Sequence, residues 1–349
     1  METKTEKSIL VSFCIPTYKF PIKDLPKCMN SILSCGLSKD NFEMIVVSDG
    51  NTKEYNSELE SFIVEYSKKN DIIVRYIVHT TNLGLFEVRK SAARIATGKY
   101  ICHVDSDDWI EKDCLKDLPD FLDKNEIEYD IIQYGYETVY PKKVVKPSGK
   151  YDKYLEYVAP ENSSLLRMCI VDGGIPRYIW GKLILRQIYK KVENILPDVY
   201  VNFAEDFLAL VFLSSYSKSY CYRKDIKLYN YSRLDESMTS HVKKMSKEKW
   251  NSLLSVANVI EITKLDNFRD ADVKAAMAKT HLKYSMELYS LLTLDGIFES
   301  EEVKKYAVDS FVAAFGEKNV ANIEKSFKEI QKNRKPRYKN KSKKFAKRN

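Results

Sequence analysis

The acidic turn at residues 105–108 is the segment of this chain whose residue types are best suited to chemistry. An apolar run from Tyr100 to Val104 ends abruptly in Asp105-Ser106-Asp107-Asp108, which places three carboxylates within four positions. Clustered carboxylates repel one another and resist removal from water, so a buried strand does not normally end in this way. A divalent cation would resolve the conflict, because Mg²⁺ and Mn²⁺ take hard oxygen ligands and share their coordination shell with phosphate oxygens. The turn therefore indicates a metal–diphosphate site; the alternative is a helix N-terminus, where acidic residues are also favoured.

The elements around this turn alternate as they do in an α/β domain. Short apolar runs at residues 9–15, 44–47 and 72–78 have the composition of buried parallel strands, and helical periodicity fills residues 24–35, 55–69 and 85–96 between them. In a doubly wound sheet, ligands bind outside the carboxyl ends of the strands. The polar residues that end these runs, Thr17, Asp49 and the acidic turn, are therefore expected to line one crevice.

An ordered set of motifs resembles the nucleotide-sugar-binding half of the family 2 glycosyltransferases, the inverting enzymes of the GT-A fold. The set comprises Pro16-Thr17-Tyr18-Lys19, Val47-Ser48-Asp49-Gly50-Asn51-Thr52, Asn82-Leu83-Gly84 with Arg89 five residues on, Gly98-Lys99-Tyr100 and the acidic turn. The likeness continues more loosely to about residue 240, through Trp180-Gly181-Lys182-Leu183, Ala204-Glu205-Asp206-Phe207 and residues 227–239. The chain departs from the family pattern at Ser48, where the family has Asp, and at Lys90, where it has Asn.

The resemblance implies a GT-A nucleotide-sugar-binding domain with a mainly parallel twisted sheet over residues 1–240. Apolar residues at helical spacing between residues 247 and 330 predict a helical C-terminal addition over residues 241–331. Residues 332–349 contain ten Lys or Arg and no acid, and they are expected to form a disordered basic tail.

The resemblance also implies roles for individual residues. Asp107, assisted by Asp105, would bind Mn²⁺ or Mg²⁺; Asp206 would be the catalytic base, and Glu205 would orient Asp206 or the acceptor. Asp49 is expected to contact the uracil ring, and Arg89 and Arg233 are expected to contact the diphosphate. The other expected nucleotide-sugar contacts are Pro16, Thr17, Tyr18, Asn82, Asp105 and Ser106. His241 is a further candidate for the metal or the diphosphate. Without the resemblance, Glu205 and Asp206 could equally be acidic residues in the first turn of a helix.

The composition narrows the class of protein. With 44% hydrophobic residues among 349, the chain can bury a large core and is expected to form two domains. No apolar run reaches the roughly 18 residues that span a bilayer, and the polar N-terminus is not expected to be a signal peptide. The seven cysteines lack paired metal spacing, which predicts reduced core thiols in a cytoplasmic protein.

The net charge of +8 comes from the basic tail. Without the ten bases of residues 332–349, 47 Lys and Arg face 49 Asp and Glu, so the rest of the chain carries a charge of −2. A basic block of this kind is attracted to anionic lipid, which predicts a peripheral location at the inner face of the cell membrane. Nucleic acid is the less favoured partner, and a solvated tail without a partner is the third alternative.

These observations predict a metal-dependent inverting glycosyltransferase. It would move a hexose or N-acetylhexosamine from a UDP-sugar to a hydroxyl of a cell-surface glycan, a teichoic-acid-like polymer or a glycoprotein. The enzyme alternative is a nucleotidyltransferase that makes a nucleotide-sugar, although residues 16–21 lack the glycine-rich basic loop that binds a triphosphate. The other alternative is a non-enzymatic polyanion-binding protein that acts through the tail. The sequence leaves the sugar, the acceptor and the oligomeric state open.

Overall fold

The computed structural model describes residues 9–147, 149, 151–233, 244–264 and 268–333. The chain divides into two compact units, residues 1–242 and 243–349. Within the described ranges, no helix is long and apolar enough to cross a bilayer. Of the predictions made from the sequence, His241 and residues 334–349 of the basic tail lie outside the described residues, whereas Lys332 and Asn333 end the last helix.

The first unit is built on a β-sheet to which ten strands belong in the described part of the chain. In chain order these are β1 (Val11–Thr17), β2 (Phe42–Asp49), β3 (Ile73–His79), β4 (Tyr100–His103), β5 (Trp109–Ile110), β6 (Ile131–Tyr140), β7 (Lys143–Val145), β8 (Glu156–Val158), β9 (Lys182–Leu185) and β10 (Ser219–Ser232). The order across the sheet is β3-β2-β1-β4-β9-β6-β10-β5, with β7 beside β6 and β8 beside β10.

The sheet is parallel in its first half and mixed in its second. β3, β2, β1 and β4 are parallel neighbours, and β6 and β10 also run parallel, but β9 is antiparallel to both β4 and β6. The predicted α/β class is confirmed, and the antiparallel pairings begin at β9. β9 is entered from an irregular segment instead of a crossover helix, so no connection forces it to run parallel.

Helices fill the connections of the first unit. They are α1 (Leu25–Leu33), α2 (Lys53–Asn70), α3 (Leu85–Ile95), α4 (Leu118–Lys124), α5 (Leu166–Ile170), α6 (Arg186–Val192) and α7 (Glu205–Tyr216), with 3₁₀ turns at Ile22–Asp24 and Lys39–Asn41. The short helix α5 begins only at Leu166 because the residues before it are not helical. Asn162 has a left-handed backbone with φ 63°, and the Ser163 N–H closes a turn on the Pro160 carbonyl at 3.1 Å, so helical geometry begins only later.

Strand register places polar side chains at one edge of the parallel half. β1 and β2 are buried along almost their whole length, as expected of strands covered on both faces. Their pairing puts Thr17 opposite Ser48 and, on the next strand, Asp49 opposite His79. A slip of one residue would turn every buried side chain to the other face, so the apolar runs determine where the polar ends meet.

The second unit is helical, which confirms the predicted helical C-terminal region. It contains α8 (Lys247–Leu254), α9 (Val256–Ile262), α10 (Ala271–Leu292), α11 (Glu301–Phe315) and α12 (Glu317–Asn333). α8 and α9 are separated at Ser255, whose hydroxyl donates to the Ser252 carbonyl at 2.6 Å. The core of this unit includes the buried Trp250, whose indole N–H donates to Ser310 Oγ at 2.9 Å.

Candidate active site

Three carboxylates from distant parts of the chain meet at one buried guanidinium. Nη2 of Arg89 lies 3.1 Å from Oδ1 of Asp105, 3.4 Å from Oε1 of Glu205 and 3.4 Å from Oδ1 of Asp206. Arg89 belongs to α3, Asp105 follows β4, and Glu205 and Asp206 begin α7. The structure therefore brings together four of the residues that the sequence predicts for the site, although 116 positions separate Arg89 from Glu205.

The cluster contains three carboxylates and one guanidinium, and burial raises the pKa of two of the acids. Burial, followed by the charge of Asp206, raises the pKa of Glu205 to about 8, and burial also raises the pKa of Asp206 against the opposing effect of Arg89. Burial opposes the charged form of Arg89, but the three carboxylates outweigh it and raise the pKa of the guanidinium. Arg89 Nε and Nη1 and Asp206 Oδ1 are buried without a hydrogen-bond partner among the described residues. Unsatisfied polar atoms and raised carboxyl pKa values are typical of a site that a ligand completes.

The acidic turn presents its carboxylates to different surroundings. Asp107 is exposed to solvent. Partial desolvation, followed by the charge of Asp105, raises the pKa of its carboxyl to about 6. Asp108 is only 1% exposed, and both of its oxygens are engaged: Oδ2 accepts from the Tyr229 hydroxyl at 2.7 Å and Oδ1 accepts from the Ser232 N–H at 2.6 Å. Asp105 and Asp107 are therefore the carboxylates of this turn that can face a metal ion.

Asp49 anchors the loop that begins α3. Its Oδ1 accepts from the Leu83 N–H at 2.9 Å and faces His79 Nδ1 at 2.8 Å, and its Oδ2 accepts from the Gly84 N–H at 3.0 Å. These bonds hold the turn that carries Asn82, whose Oδ1 is buried without a partner in the described part of the chain. The contact between Asp49 and a uracil ring stays a prediction. The sequence predicts no role for His79 in the site. The available signal is its position directly after the apolar run at residues 72–78, where the polar ends of the strands are expected to meet.

The remaining predicted residues differ in their exposure to solvent. The buried Thr17 donates its hydroxyl to the Val47 carbonyl at 3.1 Å, so it ties β1 to β2, whereas Tyr18 is exposed and Pro16 and Ser106 are partly exposed. Arg233 is exposed, and its guanidinium carbon lies 5.4 Å from the centre of the Tyr231 ring. The nucleotide-sugar roles of these residues stay predictions.

Lys182 is a buried charge of the site for which the sequence predicts no role. The residue is fully buried in β9, and its Nζ donates to the Tyr178 carbonyl and lies 4.2 Å from the centre of the Tyr178 ring. Burial lowers its pKa to about 7, opposed by the charges of Cys169 and Asp206. A lysine in the otherwise apolar strand Lys182-Leu183-Ile184-Leu185 was the available signal, because unpaired lysines are almost never fully buried.

Comparison with known proteins finds a matching protein family and relatives of the same class. Residues 12–176 match the sequence model of the family described as Glycosyl transferase family 2. The chain is 29% identical over 199 residues to the uncharacterized glycosyltransferase EpsJ of Bacillus subtilis (strain 168), covering 56% of this chain and 54% of that protein. It is 30% identical over 175 residues to the poly(ribitol-phosphate) beta-N-acetylglucosaminyltransferase TarS of Staphylococcus aureus (strain Mu50 / ATCC 700699), covering 50% of this chain and 28% of TarS. The chain thus spans about half of the first relative and less of the second.

Solved structures share the fold. A crystal structure of S. aureus TarS in complex with UDP superposes with a TM-score of 0.55 at 21% identity, over 90% of this chain and 83% of that one. The mannosyltransferase PcManGT from Pyrobaculum calidifontis, in complex with GDP-Man and Mn²⁺, gives a TM-score of 0.53 at 13% identity, over 96% and 84% of the two chains. The predicted GT-A-like fold is confirmed by this likeness. Together with the relatives, the family match identifies residues 12–176 as a glycosyl transferase family 2 domain.

Proposed function

We propose that this glycosyltransferase uses Mn²⁺ or Mg²⁺ to transfer a hexose or N-acetylhexosamine from a UDP-sugar, with inversion, to a hydroxyl of a surface glycan, a teichoic-acid-like polymer or a glycoprotein. The observation that carries the proposal is the convergence of Asp105, Glu205 and Asp206 on Arg89. It joins the acidic turn, where a donor diphosphate would be held, to the pair of acids that could activate an acceptor. TarS structures with UDP and with UDP-GlcNAc support a UDP-sugar as the donor.

The acidic turn fits a divalent cation that is shared with a diphosphate. The described residues contain no group of three or more His, Cys, Asp or Glu side chains that could hold a metal by themselves. Mg²⁺, however, is commonly bound through one or two carboxylates with substrate phosphates completing its shell, and Asp105 and Asp107 provide that number. The raised pKa of Asp107 agrees, since a carboxylate without enough positive charge nearby gains from a cation. When bound, the ion would stabilise the charge that develops on the departing diphosphate.

Asp206 is the better placed of the two acids to act as the base. Its side chain is 21% exposed, against 11% for Glu205, so it is the one that an acceptor hydroxyl reaches more easily. Burial raises the pKa of Asp206, which makes its carboxylate a stronger base near neutral pH. The pKa of Glu205 is raised too, and Glu205 lies against the same guanidinium, so it can hold a proton once Asp206 has ionised in the complex with the donor. As Asp206 takes its proton, the acceptor oxygen would attack the anomeric carbon on the face opposite the diphosphate, and the bond from that carbon to the diphosphate oxygen would break in the same step, which inverts the configuration.

Asparagine variants separate the two halves of this proposal. Asp206→Asn should keep its affinity for UDP with Mn²⁺ in calorimetry while sugar transfer falls by about 100-fold or more, the usual size of a lost general base. Asp107→Asn should lose metal-dependent UDP binding as well as transfer, and EDTA should reproduce this in the unaltered protein. Asp120→Asn is the matched control, because this exposed residue pairs with the exposed Lys124, at 3.6 Å. Unchanged transfer in Asp206→Asn would reject Asp206 as the base.

The donor and the reaction class are tested together. Hydrolysis is followed with UDP-glucose, UDP-galactose, UDP-GlcNAc, UDP-GalNAc and GDP-mannose; the last is included because PcManGT is described with GDP-Man. Release of pyrophosphate from a nucleoside triphosphate and a sugar phosphate would instead favour the nucleotidyltransferase alternative. The cytoplasmic location and the division into a catalytic domain over residues 1–240 and a helical domain over residues 241–331 remain part of this proposal.

A further inference from the structure

We infer that Tyr229 and Asp108 are positioning residues that lock the acidic turn onto strand β10, and that Asp108 is not a metal ligand. The inference rests on the proposed function, since the turn is there given the task of holding the metal and the diphosphate. It separates the three carboxylates of the turn into two that face the ligand and one that holds the turn in place.

The hydroxyl of Tyr229 bridges both ends of the turn. It accepts a hydrogen bond from the Asp105 N–H at 3.1 Å and donates one to Oδ2 of Asp108 at 2.7 Å. The other oxygen of Asp108 accepts from the Ser232 N–H at 2.6 Å, and the turn closes on itself through the Asp108 N–H and the Asp105 carbonyl at 3.0 Å. Both oxygens of Asp108 therefore already have donors, and with only 1% of the residue exposed its carboxylate does not face the surface where a metal ion would bind.

The side chain that supplies this hydroxyl is buried and packed against its neighbours. Tyr229 is fully buried, and its ring stacks on the ring of Trp180 at a centroid distance of 4.6 Å and an interplanar angle of 13°. Its backbone pairs with Ile110 on β5, directly after the turn. A second anchor is Cys28 of α1, whose thiol lies 3.7 Å from the Asp105 carbonyl. The position of the hydroxyl is thus set by packing, as a supporting group for a reactive site requires.

The hydrogen bonds of the Tyr229 hydroxyl, here called the lock, connect the acidic turn to the cluster around Arg89. While Tyr229 holds the Asp105 backbone, the Asp105 carboxylate reaches Arg89 at 3.1 Å, and Arg89 in turn contacts Asp206. Loss of the hydroxyl would leave the Asp105 N–H and one oxygen of Asp108 without these partners. Since misplacement of a reacting group by about 1 Å can cost a hundredfold in rate, a small shift of the turn should be measurable as lost turnover.

Tyr229→Phe, compared with Tyr220→Phe, tests the lock. Tyr220 is a buried tyrosine of the same strand whose hydroxyl lies near the Gly174 carbonyl instead, at 3.5 Å. In metal-free protein, amide hydrogen exchange at Asp105 should accelerate about tenfold or more in Tyr229→Phe, the effect expected from loss of one hydrogen bond, and should not change in Tyr220→Phe. Unchanged exchange at Asp105 in Tyr229→Phe would overturn the lock, whether or not the protein binds a metal.

Mn²⁺ binding tests the roles of the carboxylates. With UDP present, electron paramagnetic resonance should show about tenfold weaker Mn²⁺ binding and a lower kcat in Tyr229→Phe, a similar weakening in Asp108→Asn, and loss of binding in Asp107→Asn. Loss in Asp108→Asn as complete as in Asp107→Asn would make Asp108 a ligand and refute the inference. Faster exchange in Tyr229→Phe with unchanged Mn²⁺ affinity and kcat would refute the positioning role. If the unaltered protein binds no Mn²⁺ with UDP, the metal in the proposed function fails, while the exchange result still decides the lock.

Discussion

Replacing Arg89 with methionine tests whether one guanidinium holds the three carboxylates together. The distances of 3.1 to 3.4 Å correspond to a Coulomb attraction of about 5 kcal/mol per pair at an effective dielectric constant near 20. Much of this attraction only offsets the cost of burying the guanidinium, and removal of one partner from a buried pair costs about 3–5 kcal/mol in total. We expect Arg89→Met to lower the free energy of unfolding of the metal-free protein by that amount at pH 9.

The loss of stability should be smaller in acid. The pKa values of Glu205 and Asp206 are raised in the folded protein, that of Glu205 to about 8, so both carboxylates bind protons at a higher pH than ordinary carboxylates do as the pH falls. At pH 5 these carboxylates can bind protons in Arg89→Met, and the protons compensate for the missing charge of the guanidinium. The difference in stability between the two proteins should therefore shrink at pH 5 and grow toward pH 9, because proton binding in the folded state favours that state at low pH.

Urea unfolding at pH 5 and pH 9 measures both effects. Arg94→Met is the matched control, because Arg94 lies on the same helix and has a 44% exposed side chain that pairs with Glu193 at 3.6 Å. An exposed pair of this kind contributes about 0–1 kcal/mol, so the control should change little at either pH. Equal losses in the two variants, or a loss in Arg89→Met that does not depend on pH, would refute the reasoning.

The other predictions concern the nucleotide loop, the pH dependence of turnover and the tail. Gly50 has a φ of 66°, and an added Cβ would lie 2.2 Å from the Asn82 nitrogen. Calorimetry should therefore show about tenfold weaker UDP binding in Gly50→Ala, which is equivalent to about 1.4 kcal/mol. Gly173→Ala is the control and should bind UDP normally, because Gly173 also has a φ of 66° but no atom of the described residues lies within 4 Å of an added Cβ. Transfer assays across pH should place the acid limb of kcat at a lower pH than that of kcat/KM, because the metal-bound complex should ionise Asp206 more readily; coincident limbs would contradict this. Deletion of residues 334–349 should leave hydrolysis of a soluble UDP-sugar unchanged and weaken co-sedimentation with anionic vesicles at low salt, since the deleted bases would bind lipid headgroups. Vesicles that do not bind the full chain at low salt would exclude the membrane role.

The parallel half of the sheet could be predicted because its signals are local. Each strand is a short apolar run bounded by polar residues, and burial of the run also fixes the register that brings Asp49 beside His79. The helices predicted over residues 24–35, 55–69 and 85–96 form within two residues of those bounds, since their apolar spacing is regular. Antiparallel β9 could not be predicted, because its pairing with β4 and β6 depends on residues far away in the chain.

The candidate site could be predicted only as a collection of residues. The motifs point to Arg89, Asp105, Glu205 and Asp206, but no local pattern indicates that they share one contact, which arises from the packing of α3, the end of β4 and α7. The engagement of Asp108 by Tyr229 is likewise a contact across 121 positions. Sequence spacing therefore names the chemical groups, whereas the tertiary fold decides which carboxylate is free and which is occupied.

The position of Arg89 gives a physical reason for the order of events in transfer. In the absence of a donor, its Nη2 is shared among Asp105, Glu205 and Asp206, and the pKa values of the latter two are raised by burial. In the proposed complex Asp105 faces a cation, so Arg89 is left to Glu205 and Asp206, and the added positive charge nearby lowers their pKa values. Asp206 would then ionise as the donor binds, before the acceptor hydroxyl needs a base. The same reasoning explains why the guanidinium is buried: a solvent-exposed arginine would be screened and would transmit little of this change between the two halves of the site.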